Sequence, residues 1–162
     1  GLGDVYKRQA LRAAGIDHDL RRDVGYSVYD RFDFEIPVGH SNIAGEFADC
    51  FQRHWIRIRE VEESIKIIRQ ALAQMPEGPT MAKLPKTIKA PPGEVYVRGE
   101  NPRGELGIYF VSDGKPNAYR LRCRGPSFNN IAVITETAQG MMIADLVALI
   151  GSMDIVLGEV DR

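Results

Sequence analysis

Between Ile43 and Met75 the apolar residues recur at steps of three and four only: Ile43, Phe47, Phe51, Trp55, Ile58, Val61, Ile65, Ile68, Leu72 and Met75. That spacing lays them along one stripe of an α-helix and predicts a long amphipathic helix over residues 45–75. The other face sets Arg59 against Glu63 and Glu62 against Lys66 at i,i+4, pairs that each contribute only about 0.2–0.5 kcal/mol. This face reads as solvated, with a docking face as the alternative. Pro76, Gly78 and Pro79 end the helix.

Upstream, residues 10–42 show no sustained period and many charges (DLRRD, then YDRFDF), punctuated by Gly25, Pro37 and Gly39. They are expected to be a tethering segment rather than core. Downstream, five prolines among residues 76–93 predict an extended surface linker. EVYVR (94–98), LGIYFV (106–111) and YRLRCR (119–124) are then β-rich segments divided by the turn residues of NPRG and SDGKPN. They predict a three-stranded antiparallel meander. Its third strand should place Tyr119, Leu121 and Cys123 on one face and Arg120, Arg122 and Arg124 on the other, either solvated or set to grip an acidic partner. Ser127 is the expected N-cap of a helix over 128–139, with Gly140 as its stop. A second helix, 141–151, is apolar on nearly every side and is expected to be buried, with Asp145 as a hydrogen-bonded packing acid. The fold class is therefore α+β, mainly helical, with one long amphipathic helix and a small three-stranded antiparallel sheet.

With 44 % hydrophobic and 27 % charged residues the chain has the composition of a globular protein. A net charge of -1 gives no electrostatic ground for a nucleic-acid partner. Apolar runs stay well short of the roughly 18 residues that span a bilayer. Cys50 and Cys123 lie far apart and outside any ligand spacing, which supports neither a disulfide scaffold nor a zinc site and fits a reducing compartment. HExxH, GxSxG, P-loop and GxGxxG patterns are all absent, and His18, His40 and His54 are scattered, reading as structural or exposed.

Blocks in a fixed order carry the argument further: LRAAGIDHDLRRD (11–23), YSVYDRFDFEIPVG (26–39), GEVYVR (93–98), PRGELGIYFVSDG (102–114), YRLRCRGPSF (119–128) and GSMDIVLGEVDR (151–162). Together they resemble the D-subunit of NADH-quinone oxidoreductase, the quinone-reducing core component of respiratory complex I, over nearly the whole chain. Residues 1–9 do not match and are expected to be a non-native or mis-joined opening, leaving residues 10–162 as the C-terminal part of a single D-subunit domain. HSNIAGEF (40–47), Ala48-Asp49 and Gln52-Arg53 depart from the family pattern and suggest a divergent member with a longer loop there.

The same family is similar to NiFe-hydrogenase large subunits, whose tail motif Asp-Pro-Cys-x-x-Cys supplies two thiolates to the metal pair. Here Asp154 keeps its place, while Val156 and Glu159 stand where the cysteines would be. Valine has no donor atom and a lone carboxylate is a hard ligand, so the tail does not suit nickel. The resemblance implies that the emptied metal pocket receives the quinone headgroup. Asp154 is then an orienting or charge-compensating acid and Val156 an apolar wall, with Met153 and Glu159 as pocket neighbours and no catalytic residue in this stretch. The alternatives for Asp154 and Val156 are helix-end capping and ordinary core packing.

The resemblance further implies no metal or cofactor bound by this chain, quinone as substrate, a 4Fe-4S cluster in the adjacent iron-sulfur protein (the B-subunit), and NADH and FMN elsewhere in the complex. The C-subunit and the membrane arm are the other implied partners, and the implied location is peripheral, on the cytoplasmic side of the inner membrane or the matrix side in mitochondria. The family's His and Tyr proton donors are expected in its N-terminal half. Alternative readings are the large subunit of a membrane-bound hydrogenase-related complex and a non-catalytic assembly module on the same scaffold. By itself the chain is expected to be inactive, with exposed apolar patches and poor solubility; a monomer with a two-state melt would count against this.

Overall fold

The computed structural model describes residues 8–42 and 45–161. In chain order the elements are α1 (Arg8–Ala13), α2 (Leu20–Asp23), a 3₁₀ turn (Tyr29–Arg31), α3 (Cys50–Ala73), β1 (Gly93–Asn101), β2 (Gly104–Ser112), β3 (Arg120–Arg124), α4 (Pro126–Thr137), α5 (Ile143–Met153) and α6 (Leu157–Val160). The chain is thus α+β. Among the described residues no helix is long and apolar enough to cross a membrane. The first seven residues of the proposed non-native opening, and Ile43 at the head of the apolar stripe, lie outside the described residues.

The long helix forms as its periodicity predicts but begins at Cys50 rather than 45. Asp49 supplies the cap, its Oδ1 accepting from the Gln52 N–H at 2.7 Å. Just before it Ala48 turns left-handed, with φ of 67°, which separates Phe47 from the helical stripe. The charge pairs also differ from expectation. Arg59 pairs with Glu62 and Lys66 with Glu63, both at i,i+3, because on a real helix the neighbouring turn is reached equally well at three residues.

The stripe itself is largely uncovered. Phe51, Ile58, Val61, Ile65, Ile68 and Leu72 are all exposed, whereas the face packed on the chain buries Gln52, Arg53, Ile56 and Glu63. This matches the expected exposed apolar patches. Helix α5 departs from its expected burial: Leu149, Ser152 and Met153 are buried, while Ile143 is 90 % and Val147 76 % exposed. Asp145 is accordingly half-buried in the first turn of α5, where the helix dipole favours an acid.

Residues 10–42 correct the reading more sharply. Instead of a tether they hold the centre of the molecule, with Arg12, Ala13, Asp19 and Leu20 at 0–1 % exposure. The Arg12 guanidinium donates to the His18 carbonyl at 2.9 and 3.1 Å and to Asp19 Oδ2 at 2.6 Å, and it pairs also with Glu60 of α3 and Glu100 of β1. Charged residues can be buried when they are paired and hydrogen-bonded, and hydropathy does not register that.

The sheet is the expected antiparallel meander, order β1-β2-β3. Asn101 faces Gly104 across a two-residue hairpin, and Arg103 N–H donates to Asn101 Oδ1 at 3.1 Å. One sheet face presents Val95, Val97, Ile108 and Leu121, all exposed. On the other, Glu105 is 5 % exposed and neutralised by Arg98 at 3.4 Å and Arg124 at 3.3 Å, so one of the three strand arginines is used internally. Tyr96 lies over Gly107 on that face, its hydroxyl 2.3 Å from where a Cβ would stand, so any side chain there would have to move the tyrosine aside. Residues 76–92 run without strand or helix, exposed throughout except the half-buried Ala90, as the prolines dictate.

Candidate functional site

The candidate site begins at the C-terminus of α5. Its last residue, Met153, is followed by Asp154 in the left-handed conformation, φ 52° and ψ 55°, which ends the helix and turns the chain towards α6. For a residue other than glycine that conformation costs on the order of 1 kcal/mol and persists only where the surroundings hold it. Two arginines do so. Arg57 of α3 donates to the Ser152 carbonyl at 2.6 Å and the Gly151 carbonyl at 3.4 Å. Arg103 of the β1–β2 hairpin donates to the Asp154 carbonyl at 3.1 Å and to its Oδ1 at 3.4 Å. Orphan carbonyls at a helix C-terminus attract cations by both hydrogen bonding and dipole.

Asp154 lines a cleft of about 450 Å³ whose walls come from five other places: Arg21 of α2, Tyr29 of the 3₁₀ turn, Arg57 and Glu60 of α3, Glu100 of β1 and Pro102 of the β1–β2 turn. The lining mixes cations, carboxylates and a phenol with the apolar Val61 and Pro102. Arg21 is fixed there by Asp19, with Nε 2.9 Å from Oδ1 and Nη2 2.6 Å from Oδ2, and its guanidinium lies over the Phe34 ring at 4.7 Å. Burial opposes the Asp19 charge, but the Arg21 hydrogen bond and the charges of Arg12 and Arg21 outweigh it and hold the carboxyl at about 2. Such a cleft offers both hydrogen-bond donors and acceptors among its lining residues.

The other residues singled out from sequence fall elsewhere. Val156, 38 % exposed, precedes α6, and its N–H donates to Ser127 Oγ at 3.3 Å; among the described residues the cleft lining includes Asp154 and not Val156. Met153, the last residue of α5, is buried. Glu159 receives the Ser127 N–H at 3.2 Å and the Ser127 hydroxyl, so its carboxylate caps the start of α4. This corrects the expected N-cap: Gly125 holds that position, Pro126 takes the first turn, and Ser127 lies one residue further in, fully buried. Arg57, Arg103 and Tyr29 were not picked out from sequence. No local pattern marks them, since each acquires its place only when distant segments meet.

The family described as respiratory-chain NADH dehydrogenase, 49 kDa subunit, matches residues 7–88 and 82–162, and the chain belongs to it. It is 52 % identical over 171 residues to the NADH-quinone oxidoreductase D-subunit of Geobacillus thermodenitrificans (strain NG80-2), covering 99 % of this chain and 45 % of that protein. Against the D-subunit of Geobacillus kaustophilus (strain HTA426) identity is 51 % with the same coverage. For that of Bacillus cereus (strain ATCC 10987 / NRS 248) it is 51 % over 152 residues, 93 % of this chain and 40 % of the relative. The chain thus spans less than half the length of the curated relatives it matches.

Proposed function

We propose that this chain forms part of the chamber in which NADH-quinone oxidoreductase reduces quinone, on a scaffold like that of a NiFe-hydrogenase large subunit. The observation that carries the reading is Asp154, the acid the tail shares with the hydrogenase motif, held left-handed by Arg103 and lining the cleft. Its carboxylate orients the headgroup or balances charge beside it. Val156 supplies an apolar wall to the part of the chamber completed by other chains. Glu159, at the second cysteine position of the hydrogenase motif, has its carboxylate committed to Ser127, which supports a structural use over metal ligation.

In this reading electrons arrive from a 4Fe-4S cluster in the adjacent iron-sulfur protein, the B-subunit, after NADH and FMN chemistry elsewhere in the complex. This chain's residues bind and orient quinone, while proton donation falls to a His and a Tyr of the remaining part of the same polypeptide. The C-subunit and the membrane arm are its further neighbours, quinone reduction is coupled to proton translocation, and the protein sits peripherally on the cytoplasmic side of the membrane. The exposed stripe of α3 and the exposed faces of α5 and the sheet support burial against such neighbours.

Val156→Met in the assembled complex tests the reading: quinone or inhibitor affinity is expected to change while assembly is retained, and unchanged affinity overturns the wall. Asp154→Asn separately tests the charge. Normal turnover with that variant leaves Asp154 only its packing role.

A further inference from the structure

We infer that Arg103 and Arg57 are positioning residues that set the direction of the Asp154 carboxylate in the cleft, an inference that rests on the proposed role of Asp154. The two act on one turn from different elements. Arg103 holds Asp154 at two points, with Nε on the carbonyl at 3.1 Å and Nη2 on Oδ1 at 3.4 Å. A contact to both backbone and carboxylate of the same residue restrains ψ and the side-chain torsions together. A planar fork presents two nitrogens in a fixed geometry for this, whereas a lysine ammonium must serve both oxygens from one nitrogen on a flexible stem.

Arg57 works one step back along the chain. By donating to the Ser152 and Gly151 carbonyls it fixes the last turn of α5, from which the left-handed residue departs. Its neighbour one turn earlier, Arg53, adds a 3.0 Å bond to Ser152 Oγ, so α3 grips that turn from a rigid surface. Arg103 is supported in its turn: its carbonyl accepts from Asn130 Nδ2 of α4 at 3.3 Å, which ties the hairpin to the helix behind it. The Asp154 carboxylate is therefore not free to swing. Its direction is decided by a hairpin arginine and a helix arginine that meet only in the folded chain.

Arg103 is absent from the cleft lining, so its effect on a ligand must pass through Asp154, whereas Arg57 also faces the cleft. The decisive test is thus a double-variant cycle on Arg103 in the assembled oxidoreductase. Steady-state KM and kcat for a short-chain quinone are measured for Arg103→Lys, Asp154→Asn and the pair. Reduction of an artificial acceptor that takes electrons ahead of the quinone reports assembly and upstream transfer. Arg103→Lys is expected to raise KM by about tenfold, below the roughly hundredfold that a misplacement of about 1 Å can cost, with the artificial-acceptor rate unchanged. Combined with Asp154→Asn it should add little further loss. Arg57→Lys, which retains the charge and one carbonyl bond, should give a smaller change of the same kind.

If Asp154→Asn impairs quinone kinetics but Arg103→Lys does not, or if the two losses multiply, the positioning role is overturned while the site reading stands. Unchanged kinetics for Asp154→Asn sink both. Should Arg103→Lys prevent assembly, Arg103→Gln, which keeps one donor for the Asp154 carbonyl, carries the same cycle with the same outcomes.

Discussion

Arg12 Nη2 lies 2.6 Å from Asp19 Oδ2, and both side chains are fully buried. The same guanidinium meets Glu60 on α3 and Glu100 on β1, so a single cation joins the N-terminal helices, the long helix and the sheet. Removing it takes the shared cation away from three carboxylates, of which Asp19 keeps Arg21 and Glu100 keeps the Leu20 N–H. Arg12→Met is therefore expected to destabilise the full-length protein by about 3–5 kcal/mol, the range for breaking a buried ion pair from one side. Denaturant midpoints would show this, and a loss under about 1 kcal/mol would mean that the network is dispensable.

Asp19 makes stability depend on acid. Its folded pKa is lowered from 3.8 to about 2, while the unfolded chain returns it to its ordinary value. A lowered carboxyl stabilises the fold above the unfolded pKa, and the benefit disappears as pH falls through the folded one. The difference is worth about 2 kcal/mol, lost between roughly pH 4 and pH 2. Comparing wild type with Asp19→Asn at pH 6 and pH 3 should show the gap between them narrowing in acid; a gap that stays constant would remove Asp19 from the titration.

Ser127 links the start of α4 to the tail. Its hydroxyl donates to Glu159 and accepts from the Val156 N–H. Ser127→Ala strips an acceptor from that N–H and one donor from the carboxylate, at an expected cost of about 1–2 kcal/mol. Because Val156 hangs from this bond, the variant should also shift inhibitor affinity in the complex, and a lower melting temperature with unaltered affinity would confine Ser127 to stability.

Much of the architecture was legible along the chain. The stripe from Phe51 to Leu72 gave away α3, and alternating segments broken by NPRG and SDGKPN marked each strand of the meander, because period and turn chemistry are local properties. The start of α3 was misjudged because Phe47 keeps helical spacing although Ala48 breaks the helix, a backbone event that hydropathy does not see. The N-cap of α4 lies two residues before the expected Ser127 for a similar reason: serine is a good cap, but here its hydroxyl is taken by a carboxylate 32 residues away.

For the site, sequence resemblance singled out Asp154, whereas its supporting arginines were invisible. Arg103 is 51 residues from Asp154 and Arg57 is 95 residues from Ser152. The sequence by itself determined α3, α4, α5 and the three strands, the family, and Asp154 among the acids of the tail. Tertiary structure alone decided that a charged segment without period becomes the centre, and which way Asp154 points. The reason is physical: helix and strand patterns arise from neighbours a few residues apart, whereas a buried charge is stable only beside partners that distant parts of the chain bring to it.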